Sequence, residues 1–129
     1  MGARILVVDD NVLNLKLARH VLEADGFTVD EAGDAVQAQM RLGVSLPDII
    51  LLDLGLPGMD GLSLTRKLKA DQQWKEIPVI AWSACTVKGD DLRALAAGCD
   101  GYLTKPIDTR NFARRVASFL VAPGAKRPA

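Results

Sequence analysis

Five polar residues lie at or just beyond the ends of short apolar segments, where their side chains could act together. They comprise three carboxylates, one hydroxyl and one ammonium group, namely Asp9, Asp10, Asp53, Ser83 and Lys105. The segments before them are strand-like, and ligands bind beyond the carboxyl ends of the strands in an open parallel sheet. We therefore expect these five side chains to converge on one site.

The three carboxylates of this set would repel one another. Two unit charges about 5 Å apart cost roughly 3 kcal/mol at an effective dielectric constant of about 20. A cation relieves that repulsion, and an all-oxygen set with few protein donors suits Mg²⁺, which usually leaves a position for a phosphate oxygen. Lys105 adds a mobile positive charge for a phosphoryl oxygen, and Ser83 can donate a hydrogen bond to another. The set is typical of a magnesium-dependent phosphate site.

A purely structural role is the alternative for each residue taken singly. An aspartate at the end of a strand often caps a helix or forms a turn. Asp10 is the clearest case, because a helix is predicted just after it. The convergence of five polar groups on one edge favours the functional interpretation.

The elements that would position these residues alternate between strands and helices. Apolar runs typical of strands buried on both faces occur at residues 5–8, 49–52 and 79–82, with weaker candidates at 28–29 and 102–103. Helical apolar spacing occurs at Leu15, Ala18 and Leu22; Ala35, Ala38 and Leu42; Leu64 and Leu68; Leu92, Leu95 and Ala96; Phe112, Val116 and Phe119. The order βαβαβαβαβα predicts an α/β fold, with five parallel strands joined by right-handed crossovers.

Residues at the predicted helix ends support these boundaries. The predicted N-caps are Asn11, Asp34, Asp60 and Asp108, which are residue types that accept hydrogen bonds from the first helical N–H groups. Gly26 and Gly98 follow two helical stretches, where a left-handed residue commonly ends a helix.

The length and composition of the chain indicate one globular domain. It has 129 residues, with 16 positive and 16 negative side chains, a balance that argues against nucleic-acid binding by bulk charge. Two cysteines are too few for a disulfide scaffold. Without a signal-peptide core or a membrane-length apolar run, a cytoplasmic protein is expected. Residues 3–121 are predicted to form the domain, and residues 122–129 a flexible C-terminal tail.

Four stretches of the chain, in their order and spacing, resemble the receiver domains of two-component response regulators, the CheY-like superfamily. They are residues 5–11 (ILVVDDN), 53–61 (DLGLPGMDG), 77–80 (IPVI) and 97–106 (AGCDGYLTKP). The resemblance implies a doubly wound, flavodoxin-like (βα)5 fold with strand order 2-1-3-4-5. Asn11 and residues 99–102 make the chain most similar to stand-alone and hybrid-kinase receivers.

The resemblance also implies roles for the acidic residues. Asp53 would be the phosphoacceptor. Asp9 and Asp10 would bind Mg²⁺ together with Asp53 and the backbone carbonyl of Gly55. A histidine kinase or a histidine phosphotransfer protein would supply the phosphoryl group. The domain would catalyse only its own phosphoryl transfer and dephosphorylation, so it is not expected to be an enzyme with a separate substrate.

Three further residues would complete the implied switch. Lys105 would neutralise charge at the transfer site, Ser83 would turn toward the phosphoryl group, and Tyr102 would rotate inward as the hydroxyl moves. The surface of the fourth helix, fifth strand and fifth helix would then change and control a downstream protein. The domain is expected to act as a monomer or weak homodimer, without direct contact to nucleic acid or membrane.

Three other functions remain open. A haloacid-dehalogenase-like phosphatase also uses an aspartate and Mg²⁺ on a parallel sheet, but it needs a general acid two residues after the nucleophile, where this chain has Gly55. A receiver that has lost phosphorylation and serves as an adaptor would not need the complete polar set. A flavodoxin-like cofactor binder would need a glycine-rich phosphate loop after the first strand, where Asp9, Asp10 and Asn11 stand instead.

Overall fold

The computed structural model describes residues 3–55, 61–83, 90–104 and 110–120; for Ser83, residues 90–93 and Thr104 it describes the backbone alone. Strands and helices alternate along these ranges, as the apolar spacing predicted. The elements are β1 (Arg4–Val8), α1 (Val12–Ala24), β2 (Thr28–Ala32), α2 (Ala35–Val44), β3 (Ile49–Leu52), α3 (Gly61–Lys69), β4 (Val79–Ser83), α4 (Asp90–Ala97), β5 (Gly101–Thr104) and α5 (Phe112–Ser118).

The five strands form one parallel sheet in the order β2-β1-β3-β4-β5, which confirms the predicted fold class. The interior strands β1, β3 and β4 contain unbroken apolar runs because helices cover both of their faces. β1 pairs with β2 on one side and with β3 on the other. The strand order therefore reverses there, and a crevice lies beyond the carboxyl ends of β1 and β3.

Alternate residues of the strands pack on opposite faces of the sheet and form two core layers. The layer facing α2, α3 and α4 includes Leu6, Val8, Ile50, Leu52, Val79 and Ala81. The layer facing α1 and α5 includes Ile5, Val7, Ile49, Leu51, Ile80 and Trp82. Trp82 is fully buried, and its ring centroid lies 5.7 Å from that of Phe112. Since each buried Leu or Ile contributes about 1.5–3 kcal/mol, the two layers hold the strand ends firmly in place.

Hydrogen bonds and backbone angles confirm several of the predicted helix ends. The Asn11 side chain accepts from the backbone N–H groups of Leu13 and Asn14, and the Asp34 side chain accepts from that of Gln37. Gly26 and Gly98 have the expected positive φ angles of 95° and 111°.

Two predicted N-caps, Asp60 and Asp108, lie outside the described residues. α5 begins at Phe112 with Asn111 as its N-cap residue. The sequence analysis had predicted Asp108 as the cap of this helix, and that prediction was wrong.

The buried faces of four helices are the predicted ones. The buried side chains are Leu15, Ala18 and Leu22 in α1; Ala35, Ala38 and Leu42 in α2; Leu64 and Leu68 in α3; and Phe112 and Val116 in α5. In α4 the prediction was wrong for Leu95 and Ala96, which are exposed, whereas Ala94 and Ala97 are buried. The side chain of Leu92, the third predicted residue, lies outside the described part of the structure. α4 packs against α3 and β5, and the small alanine side chains permit that close approach.

Within the described ranges, none of the helices combines the length and the apolar character needed to cross a bilayer. Residues 121–129 lie outside these ranges. The predicted boundary between the domain and a C-terminal tail therefore stays a prediction.

Candidate functional site

Three aspartate side chains meet at the carboxyl edge of the sheet, where the sequence predicted them. Asp9 follows β1 and Asp53 follows β3, and these two strands pair directly. The Asp9 N–H donates to the Ala32 carbonyl over 3.0 Å, and the Asp53 N–H donates to the Val8 carbonyl over 2.9 Å. One carboxylate oxygen each from Asp9, Asp10 and Asp53 lie within 4.8 Å of one another. The sheet hydrogen bonds thus hold two of the three residues beside each other.

Two of the three aspartates are largely withdrawn from water. Asp9 is 0% exposed and Asp53 is 9% exposed, whereas Asp10 is exposed. Burial of carboxylate charge is unfavourable unless hydrogen bonds or a cation compensate for the lost hydration. Mg²⁺ prefers oxygen ligands and commonly binds through one or two carboxylates and several waters. The donor set and its partial opening toward solvent therefore fit such an ion.

Both carboxylate oxygens of Asp9 accept hydrogen bonds from the start of α1. The Asn11 N–H donates to Asp9 Oδ1 over 2.9 Å, and the Asn14 side-chain amide donates to Asp9 Oδ2 over 3.3 Å. Asn14 is absent from the predicted site residues. The signal that could have found it is its place as the third residue of α1, from which a side chain tilts back toward the helix start.

Gly55 and the first residue of α3, Gly61, both lie close to Asp53. Its Oδ1 accepts a hydrogen bond of 2.9 Å from the Gly55 N–H. The Gly61 N–H donates to the Leu54 carbonyl over 3.1 Å, which holds the first residue of α3 against the residue that follows Asp53. The predicted role of the Gly55 carbonyl as a metal ligand stays a prediction.

The remaining predicted residues are described only in part. Ser83 ends β4, which lies next to β3, and its backbone is in register with Thr104 of β5. Lys105 follows Thr104 in the chain and lies outside the described residues. Tyr102 is half-buried in β5 and packs against the layer of α2, α3 and α4. The chemical roles predicted for these residues are not tested by this geometry.

The sequence is similar to those of known response regulators. The family model of the response regulator receiver domain matches residues 5–117. The polar-differentiation response regulator DivK of Brucella ovis is 38% identical over 120 residues, which cover 93% of this chain and 98% of DivK.

Solved receiver-domain structures are similar along almost the whole chain. The receiver domain of a signal transduction histidine kinase from Syntrophus aciditrophicus has a TM-score of 0.85 and 31% identity, over 99% of this chain and 96% of that domain. The receiver domain of a sensor histidine kinase from Pseudomonas aeruginosa PAO1 has a TM-score of 0.83 and 33% identity, over 92% of this chain and 98% of that domain. That structure was solved with a magnesium ion coordinated in the active site cleft. With its fold, its acidic crevice and its relatives in agreement, the chain belongs to the response regulator receiver domain family of two-component signalling.

Proposed function

We propose that this domain is a phosphorylation-dependent switch, in which Asp53 accepts a phosphoryl group from a phosphohistidine on a histidine kinase or a histidine phosphotransfer protein. The observation that carries the proposal is the closeness of the Asp9, Asp10 and Asp53 carboxylates, within 4.8 Å at the carboxyl edge of the sheet. Membership of the receiver family supports the same function.

Asp9, Asp10 and Asp53 would hold Mg²⁺, with the Gly55 carbonyl as a further ligand. When bound, the ion neutralises charge on the transferring oxygens, so that a carboxylate becomes a competent nucleophile. The related Pseudomonas aeruginosa receiver, which has a magnesium ion in its active site cleft, supports the choice of metal.

Asp53 is the carboxylate best suited to accept the phosphoryl group. It follows β3, the central strand, so Asp9 and Asp10 approach from one neighbouring strand and Ser83 ends the other. The hydrogen bond from the Gly55 N–H orients the Asp53 carboxylate before the phosphohistidine protein binds. In the transfer, a carboxylate oxygen of Asp53 bonds to phosphorus, the P–N bond of the phosphohistidine breaks, and the imidazole leaves with the bonding electron pair.

Ser83 and Lys105 would bind the phosphoryl oxygens after the transfer. A phosphoryl group adds roughly two negative charges and strong acceptor oxygens, which would draw in the Ser83 hydroxyl and let Tyr102 move. The resulting change on α4, β5 and α5 would select a downstream protein. Gly55, two residues after Asp53, offers no side chain as a general acid, so we infer that the domain catalyses only its own phosphorylation and dephosphorylation.

The test is phosphorylation of purified variants by acetyl phosphate with Mg²⁺, followed by intact mass spectrometry. Wild type should gain one hydroxylamine-sensitive phosphoryl group, and Asp53→Asn should gain none while its circular dichroism spectrum stays the same. Asp48→Asn is the matched control, because Asp48 precedes the same strand and its carboxylate accepts from the Arg4 N–H at the far edge of the sheet. That control should be labelled like wild type; equal labelling of Asp53→Asn would refute the assignment.

A further inference from the structure

The first turn of α1 is hydrogen-bonded both to itself and to Asp9. The Asn11 side-chain oxygen accepts from the backbone N–H of Asn14 over 3.1 Å. The Asn14 side chain in turn donates to Asp9 Oδ2 over 3.3 Å. Because an ionised carboxylate can only accept, the amide NH₂ of Asn14 must be the group that faces Asp9. Asn14 therefore joins the helix cap to the buried carboxylate.

The orientation of a carboxylate needs this kind of support. The terminal torsion of aspartate has broad energy wells, so the strand backbone alone does not determine where the Asp9 oxygens point. The hydrogen bonds from the Asn11 N–H and the Asn14 amide act on different oxygens. Each carboxylate oxygen offers about two lone-pair sites, and each of these two hydrogen bonds uses one such site on its own oxygen.

We propose that Asn14 is a positioning residue of the metal site, which holds the Asp9 carboxylate in the orientation required to bind a divalent cation. The proposal rests on the proposed function, because it assumes that Asp9, Asp10 and Asp53 form a magnesium site. Residues that hydrogen-bond metal ligands commonly change metal affinity by about 10- to 100-fold when they are mutated. Asn14 acts through Asp9 and is not itself a ligand.

The test compares Mg²⁺ affinity, measured by isothermal titration calorimetry, with stability measured by urea denaturation in metal-free buffer containing EDTA. Asn14→Ala should bind Mg²⁺ about tenfold more weakly than wild type. Asn14→Gln keeps an amide donor on a longer side chain, and its affinity should lie between those of Asn14→Ala and wild type.

Asn11→Ala is the matched control for a loosened helix. It removes the cap acceptor, which typically costs about 1 kcal/mol of stability, but it keeps the Asn11 N–H and the Asn14 amide that donate to Asp9. Its metal-free stability should fall, while its Mg²⁺ affinity stays within about twofold of wild type, well short of the loss expected when a donor to the ligand is removed.

The outcomes separate this inference from the proposed function. Absence of Mg²⁺ binding by wild type would refute the metal site, and the role of Asn14 with it. If wild type binds Mg²⁺ but Asn14→Ala binds it equally well or more tightly, only the positioning role is refuted. An equal loss of affinity in Asn11→Ala and Asn14→Ala would likewise assign the effect to fraying of α1 and overturn the inference.

Discussion

Gly61 lies so close to Asp53 that a methyl group on its Cα would come within 2.5 Å of the Asp53 carbonyl oxygen. The same methyl group would lie 2.6 Å from the Cα of Leu54. Both neighbours are backbone atoms, which cannot rotate away as the end of a flexible side chain can. The absence of a side chain at residue 61 therefore allows the first turn of α3 to pack against the backbone of Asp53, the proposed phosphoacceptor.

Gly61→Ala should lower the free energy of unfolding by about 1–3 kcal/mol, the usual cost of overpacking a closely packed region. Urea denaturation followed by circular dichroism would measure it. The control is Gly43→Ala on α2, where an added methyl group meets nothing within 4 Å. There alanine should raise stability by about 0.5–1 kcal/mol, since glycine is the poorer helix former. Changes of the same sign at both positions would contradict the steric explanation.

Added Mg²⁺ should raise the melting temperature, because it binds the folded protein and offsets repulsion among Asp9, Asp10 and Asp53. An ion at 100 times its dissociation constant stabilises the fold by about 2.7 kcal/mol. Asp10→Ala should weaken this response, whereas Asp25→Ala, which removes an exposed aspartate at the far end of α1, should retain it. Differential scanning fluorimetry at constant ionic strength would decide; a wild-type melting temperature indifferent to Mg²⁺ would exclude a metal site here.

Stability should decline at alkaline pH in a manner that depends on Cys99. Burial raises the pKa of the Cys99 thiol, and its contact with Thr65, 3.6 Å from sulfur to hydroxyl oxygen, opposes part of that effect. The unfolded thiol has a pKa of about 8.5. The stabilising contribution of the protonated thiol is therefore complete below that pH and is lost as the pH rises through the higher folded pKa. The free energy of unfolding of Cys99→Ala, measured against pH, should decline less steeply above the unfolded pKa; parallel curves would show that the thiol does not contribute.

Trp82 should report events at the site through its packing on Phe112, the first residue of α5. The indole is fully buried, and it precedes Ser83 at the end of β4. If the loops at this edge rearrange around a phosphoryl analogue, the contact between Trp82 and Phe112 changes, and indole emission changes with it. Trp74→Phe should retain the emission change caused by beryllofluoride with Mg²⁺, and Trp82→Phe should lose it. If beryllofluoride leaves the emission of Trp74→Phe unchanged although calorimetry shows that it binds, Trp82 has only a packing role.

The amino-acid sequence by itself determined the order of the elements and the identity of the three carboxylates. Local patterns suffice for both, because an unbroken apolar run indicates a buried strand and helical spacing indicates the element that follows it. Asp9 and Asp53 come immediately after such runs, so parallel connectivity was enough to predict that they share one edge of the sheet.

Only the tertiary structure decided which side of a helix is buried when two sides are apolar. α2 has two apolar sets at helical spacing. The smaller side chains, Ala35, Ala38 and Leu42, are buried. The bulkier side chains, Val36, Met40 and Val44, are exposed. The prediction was right there and wrong in α4, where Ala94 and Ala97 rather than Leu95 and Ala96 face the core. Burial depends on how closely the neighbouring sheet and helices approach, and apolar spacing carries no information about that distance.

Contacts between distant residues also came from the tertiary structure alone. The Lys69 ammonium lies 2.8 Å from an Asp100 carboxylate oxygen that also accepts from the Val79 N–H. Lys69 ends α3, Val79 begins β4 and Asp100 directly precedes β5. Gly61, at the start of α3, meets the backbone of Asp53 beyond the end of β3 in the same way. Such pairs follow from where the folded backbone brings each side chain, whereas a sequence pattern reports only the periodicity of its own element.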